Sequence, residues 1–395
     1  MATLLQPAYP YVTVVIDTSA LLPSARRAPG VVAVVGLADD AAAEPANAPV
    51  EVTDHDSIMA SFANGTAANP LTESLDLVLA QDPRPSKVYG VRTDAGKDYA
   101  AALAGLEAAD DVTFVCLASE FAPGGGGNSP TKLMALRAHV EQMSAAGQKR
   151  MGVAAIDPAI AKGTTYAADQ LAGGAYGKLM SDDGRMILVA ARGATTDPGN
   201  PAATADAAAA AMGAIAGYSP STSVVLKQVR GFTMPVTGQY APAEVNALAG
   251  AGVIPLIDPA LIPGTGLYFA DGGTFSSDAT RNYVDIVRVL DDIEFRLRAG
   301  LIGTVGDSRI TKPGLTSIRV RIEGILGPLQ QAAVIDDYSV SIPVLDILGI
   351  PESARSPADE AQVVTARSTR QVDVRISITY GPAVHRLNVT LAPKF

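Results

Sequence analysis

The stretch Gly30-Val31-Val32-Ala33-Val34-Val35-Gly36 constrains the fold more than any other: five consecutive apolar side chains, four of them valine, held between glycines. A strand with both faces apolar must be covered above and below, which places it inside a core rather than at a surface. The segment before it, Tyr11-Val12-Thr13-Val14-Val15-Ile16-Asp17, is rich in β-branched and aromatic residues and follows Pro7 and Pro10, so it reads as an extended strand behind a loose tip.

From about residue 50 the pattern alternates. Strands are expected at Lys87 to Arg92, Val112 to Ala118, Met151 to Ile156 and Arg185 to Ala191, and helices at Tyr99 to Ala109, Pro130 to Ala146 and Tyr166 to Met180. That order is α/β and implies a parallel sheet. The alanine-rich stretch between Asp197 and Tyr218 reads as a small-residue helix that packs closely against a neighbour. It is followed by a short helix in Val236 to Ala251 and a proline-stopped strand from Gly252 to Asp258.

The C-terminal third is more regular. Val284, Val287, Leu290, Ile293 and Leu297 form one stripe along a helix from Arg281 to Leu301, whose other face would carry Arg288, Asp291, Asp292, Arg296 and Arg298. A second helix is expected from Ser317 to Gln330, with Ile318, Ile322, Ile325 and Leu329 inward. Residues Val372 to Tyr380 alternate apolar and polar, so Val372, Val374, Ile376 and Ile378 share one covered face of a strand. After Gly381-Pro382 a second alternating segment places Leu387, Val389 and Leu391 on one side. A tight turn would pair it with the preceding strand; an open one would free it to pair elsewhere.

Composition narrows the function. The 395 residues have room for about two or three domains. A single cysteine, Cys116, excludes an intrachain disulfide and fits cytoplasmic synthesis. The N-terminus lacks the pattern of a secretory signal, and no apolar run approaches a membrane span. A net charge of −10 without a basic cluster argues against a nucleic-acid partner. The charge is uneven: residues 1–35 and 281–395 are each +1, leaving −12 for residues 36–280. That partition suggests a middle facing solvent and ends facing other protein.

No constellation of residues points to catalysis, a metal or a cofactor. His55, His139 and His385 are far apart in sequence, and Cys116 sits in an apolar strand. The loop Gly124-Gly125-Gly126-Gly127 follows a strand and precedes a helix, where a phosphate loop would lie, but Thr131-Lys132-Leu133 breaks the required spacing. An α/β nucleotide- or small-molecule-binding enzyme built on that loop is one reading of these residues.

Four stretches carry a family likeness. Pro7-Ala8-Tyr9-Pro10-Tyr11-Val12 to Ile16-Asp17, then Arg26 to Gly36, is similar to an arm strand followed by a first buried strand ending in Val-Gly, and Ala205 to Lys227 to a small-residue helix. Val253 to Leu256 resembles a Gly-Val-Asn-Pro-like turn, with Ile254 departing from it at the Asn-like place before Pro255. The best match is Tyr283-Val284-Asp285-Ile286-Val287-Arg288 through Asp292-Ile293-Glu294, Leu301-Ile302-Gly303, Arg309-Ile310-Thr311 and Leu315. Together these resemble the contractile tail sheath proteins of myophages and their relatives in R-type tailocins and other contractile injection systems.

The resemblance implies a non-enzymatic subunit that polymerises as stacked, usually hexameric, rings around an inner tail tube and contracts to drive the tube through an envelope. Its partners would be copies of itself, the tube, and baseplate and tail terminator proteins, with no nucleic acid and no membrane. Assembly would take place in a bacterial host's cytoplasm, within a virion tail or tailocin particle. The implied architecture combines α/β and α+β parts: an N-terminal arm (1–20), an assembly domain (21–36 and 222–382), an inserted outward α/β domain (37–221) and a C-terminal arm (383–395). The arms would exchange strands between subunits through Tyr11, Val12, Val14 and Ile16 at one end and Leu387, Val389 and Leu391 at the other. The strand carrying Val372, Val374, Ile376 and Ile378 would be the acceptor, and Arg281, Arg288, Arg296 and Arg298 would face the tube.

Overall fold

The computed structural model describes residues 28, 30–39, 42–64, 68–94, 96, 98–122, 130–162, 176–200, 203–264 and 266–385. The expected arms at Tyr11 to Ile16 and Leu387 to Leu391, and the Gly124–Gly127 loop, lie outside these residues.

A nine-stranded sheet forms the body. Its strands are β1 (Val31–Gly36), β2 (Val50–Val52), β3 (Lys87–Arg92), β4 (Phe114–Ala122), β5 (Met151–Ile156), β6 (Met186–Ala190), β7 (Gln228–Val229), β8 (Val253–Ile257) and β9 (Leu267–Phe269), in the order β2-β3-β1-β4-β5-β6-β8-β9-β7. The apolar run of β1 pairs in parallel with both β3 and β4, and all six of its residues are buried. Parallel pairing continues through β5, β6 and β8, and antiparallel strands close both edges.

The body's helices are α1 (His55–Phe62), α2 (Pro70–Leu79), α3 (Tyr99–Gly105), α4 (Thr131–Ala145), α5 (Ala207–Gly217) and α6 (Pro242–Gly250). Helix α5 is the small-residue helix, buried from Ala207 to Ala216. Its alanines let the backbone come close to its neighbours: a Cβ at Gly217 would lie 1.9 Å from the Pro83 carbonyl oxygen, and one at Gly30 would lie 2.2 Å from that of Ala216. Asp206 caps α5. Its buried carboxylate accepts from the Ala208 and Ala209 amides at 3.1 Å, the Ser74 hydroxyl at 2.7 Å and the Ser119 amide at 2.9 Å. Burial raises the pKa of this acid, and the four donors oppose that shift.

The remaining elements form a second unit: α7 (Val284–Leu301), α8 (Lys312–Gln331), α9 (Pro343–Gly349), α10 (Pro357–Thr369) and the pair β10 (Ile335–Ser341) and β11 (Arg375–Tyr380). Two small cores hold it. One joins Val289 and Ile293 to Ile322, Leu326 and Leu329; the other joins Leu315 to Leu345, Leu348 and Val363.

Three expectations need correction. The boundaries at 36/37 and 221/222 fall inside one structure, because β1 lies near the centre of the large sheet, β7 to β9 extend that sheet, and one core runs from Val31 to Val287. The α7 stripe turns partway along: Leu290 is 42% exposed while Val289 and Arg288 are buried. The reason is that α7 serves two cores, Val284 and Val287 packing on the body and Val289 and Ile293 on α8. The strand expected from Val372 begins at Arg375, with Val372 and Val374 packing partly buried ahead of it. Residues 166–175 of the helix expected at Tyr166 to Met180 lie outside the described residues, and the part described holds a 3-10 turn, Gly177–Leu179.

Candidate assembly surface

Strands β10 and β11 pair antiparallel, with Ser339 opposite Ser377, Val340 opposite Ile376 and Tyr338 opposite Ile378. A shift between Ile335 and Asp337 marks a bulge near the start of β10. Alternation sorts the side chains. Tyr338, Val340, Ile376, Ile378 and Tyr380 lie against the α7–α8 core, whereas Asp337, Ser339, Ser341, Arg375, Ser377 and Thr379 are exposed. Among the described residues each strand has the other as its only partner, so both outer edges of this ribbon are open. An open edge presents unpaired backbone N–H and C=O groups, and an added strand would satisfy them without needing particular side chains.

From Gly381 to His385 the chain carries no strand pairing. It runs back onto the body instead. The Tyr380 hydroxyl donates to Asp285 Oδ2 at 2.9 Å, the His385 ring meets Tyr283 edge-on at 5.0 Å, and His385 Nε2 is 2.9 Å from Ser223 Oγ. The segment Leu387 to Leu391, whose pairing distinguishes the two turn geometries, lies outside the described residues.

Helix α7 joins this unit to the body through charged contacts. Arg185, only 3% exposed, holds Asp291 in a bidentate pair at 2.6 and 2.9 Å, and Lys149 reaches Glu294 at 3.2 Å. Arg288 points inward, a correction to its expected tube-facing place. Its guanidinium donates to the carbonyls of Ile215 at 3.1 Å, Ser219 at 3.3 Å and Tyr218 at 2.7 Å. These are acceptors at the carboxyl end of α5, where a cation also suits the helix dipole. Burial lowers the Arg288 pKa to about 10, so the group remains charged at neutral pH. A sequence signal for this existed: Arg288 lies four residues after Val284, on the inward side of the helix.

The other three arginines sit as follows. Arg296 pairs with Asp292 at 2.7 Å and is mostly covered; Arg298 pairs with Glu294 at 2.6 Å and is 60% exposed. Arg281 donates to the Asp183 carbonyl at 3.3 Å. A cavity beneath α7 is lined by Thr113, Phe114, Lys149, Met151, Arg288 and Asp291, at the amino ends of β4 and β5. Ligands of open α/β sheets bind at the opposite, carboxyl ends.

Among the described residues, no group of three His, Cys, Asp or Glu side chains could hold a metal ion, and no helix is long and apolar enough to cross a membrane. Cys116 is buried, and burial pushes its thiol pKa well up, away from the reactive thiolate.

No family model matches the chain, and no curated protein does. Solved structures do. A chain in the six-fold symmetrised cryo-EM structure of the anti-feeding prophage baseplate is 11% identical with a TM-score of 0.68, the match covering 99% of this chain and 100% of that one. A chain of the PVC sheath complex in the contracted state, from an extracellular contractile injection system, is 13% identical at TM-score 0.68, covering 98% of each. The sheath tail protein of Desulfitobacterium hafniense is 11% identical at TM-score 0.57, covering 85% of this chain and 93% of that one. The chain therefore has the fold of contractile sheath proteins along nearly its whole length. These neighbours are structural proteins rather than enzymes.

Proposed function

We propose that this chain is the structural subunit of a contractile tail sheath, stacking as hexameric rings around an inner tube and shortening to drive that tube through a cell envelope. The observation that carries the reading is the likeness to sheath chains over nearly the whole length, together with a two-stranded ribbon whose outer edges have no partner among the described residues. Neighbours that come from a contracted sheath and from a six-fold symmetrised baseplate support the contractile and hexameric parts.

In this reading the N-terminal arm, through Tyr11, Val12, Val14 and Ile16, and the C-terminal arm, through Leu387, Val389 and Leu391, each add a strand to the β10–β11 ribbon of a neighbouring subunit. Ile376 and Ile378 hold that ribbon against its own core while backbone groups make the joint. Five or six hydrogen bonds per arm at ~0.5–1.5 kcal/mol each give several kcal/mol per joint. Repetition along the polymer supplies the strength, and hinged arms keep subunits connected while their bodies rotate and repack. Contraction draws on energy stored at assembly. Arg281 and Arg298, the more exposed of the four arginines, are the two placed to meet a tube. The baseplate and tail terminator are the partners at the ends, and the particle is a virion tail or tailocin assembled in a bacterial cytoplasm.

Negative-stain electron microscopy of the purified chain at high concentration tests the reading: hollow striated tubes are expected, and discrete compact particles would overturn it. The arm mechanism has its own test. Deleting Ala383 to Phe395 should leave a subunit that melts cooperatively yet forms no long tubes, and normal tubes from that deletion would defeat strand exchange.

A further inference from the structure

The four arginines first placed against a partner each bond to groups of this chain, whereas a different set of exposed cations has no ion pair among the described residues. Arg309 precedes α8 and Lys312 begins it; Arg367 lies in the last turn of α10, and Arg370 caps that helix in a left-handed conformation. All four are exposed, and none makes an ion pair among the described residues. Tertiary packing brings them together. Ile310 and Leu315 share a core with Val363 and Ala366, and Arg367 Nε donates to the Ile310 carbonyl at 3.5 Å. The nearest acids in sequence are Asp307 and Asp373, so the two segments 307–312 and 367–373 together carry a net charge of +2.

The body offers the complement. On the outer side of α1 and α2, Asp54, Asp56 and Glu73 are exposed, and Asp76 is 2.9 Å from His55 Nδ1, the basic group on that surface. This surface belongs to the −12 portion of the chain, and the cationic one to its +1 end.

We propose that the patch of Arg309, Lys312, Arg367 and Arg370 docks on the α1–α2 acidic surface, Asp54, Asp56, Glu73 and Asp76, of a second copy of this chain. Two argument lines favour a copy over another acidic protein. The charges are opposite in sign and equal in number, four cations against four acids, and like cations held together without carboxylate partners gain by meeting them. The two surfaces also lie on different units of one chain, so the contact is head-to-tail and passes from copy to copy, the kind that builds rings or helical filaments. The proposal rests on the sheath reading only in requiring self-assembly, and it adds a contact that involves neither arm.

Charge reversal tests it in the full-length chain. Self-association is followed by sedimentation velocity at low ionic strength and tube formation by electron microscopy, for the Arg367→Glu/Arg370→Glu pair, the Asp56→Lys/Glu73→Lys pair and all four together. Each pair alone should weaken association about tenfold or more, and the four together should return it to within about threefold of the unaltered chain. Thermal melts check folding; should a reversed pair fail to melt cooperatively, Arg367→Gln/Arg370→Gln replaces it. Undiminished association in either reversed pair overturns the contact. Loss in both pairs without recovery in the combination also overturns it. Tubes that form equally well from the patch-reversed chain remove this contact and leave the sheath reading standing, whereas an unaltered chain that never associates removes both.

Discussion

At the scale of single residues, the buried pair His139 and Arg150 ties folding to pH. Arg150 is fully buried, and its Nη1 lies 2.9 Å from His139 Nε2. A guanidinium only donates, so that nitrogen accepts and the imidazole is neutral. Burial first, and the Arg150 charge second, lower the His139 pKa to about 4. Between that value and the unfolded pKa of about 6.5, the unfolded chain binds the extra proton, so stability falls as pH drops through this window. We expect about 3 kcal/mol to be lost by the acid end of the window. The His139→Gln variant, which keeps an acceptor for Arg150, should flatten that part of the curve in urea titrations at a series of pH values; an unchanged slope would remove His139 as its source. Nothing in the sequence marks this pair: the two residues are eleven apart, and only the packing of α4 on β5 brings them together.

Elements show the same division. The α5 helix is apolar all round, so it carries no helical periodicity; its small residues are the signal, and they indicate close approach rather than a particular face. That approach leaves no room for growth. Ala209 is fully buried, and Ala209→Leu should cost about 1–3 kcal/mol by overpacking, read from urea midpoints at unchanged m-value. A neutral substitution would mean that α5 sits on a loose interface. Strand β11 was legible from strict alternation, because a ribbon with one face on a core needs period two. Its start at Arg375 rather than Val372 was not, since Val372 and Val374 keep the same alternation while packing beside α8 and α10 instead of pairing.

Across the whole molecule, the junction at α7 decides whether the two units behave as one. Arg185 is buried beside Asp291, and a second carboxylate, Asp183, lies farther off at 3.4 Å. Removing one partner of a buried pair leaves the other charge poorly compensated. Asp291→Asn should therefore weaken the junction by about 1–3 kcal/mol and split a single thermal transition into two, with amide exchange in α8 to β11 rising ahead of that in the body. Retention of one cooperative transition at nearly the same temperature would place the coupling in the apolar contacts of Val284 and Val287 instead.

What the sequence determined by itself are the features written in local periodicity and residue size: the doubly buried β1, the strand–helix alternation of the body, the α7 and α8 helices, and the alternating β11. Each depends on which faces of one element are covered, and a single chain segment records that. The tertiary structure decided what depends on segments far apart. It placed β1 and β7 to β9 in one sheet, turned Arg288 from a surface cation into a cap on α5, left both ribbon edges without a partner among the described residues, and gathered Arg309, Lys312, Arg367 and Arg370 on one surface. The physical reason is that burial pattern is a property of a segment, whereas sheet order and charge pairing are properties of distances between segments, which linear spacing does not encode.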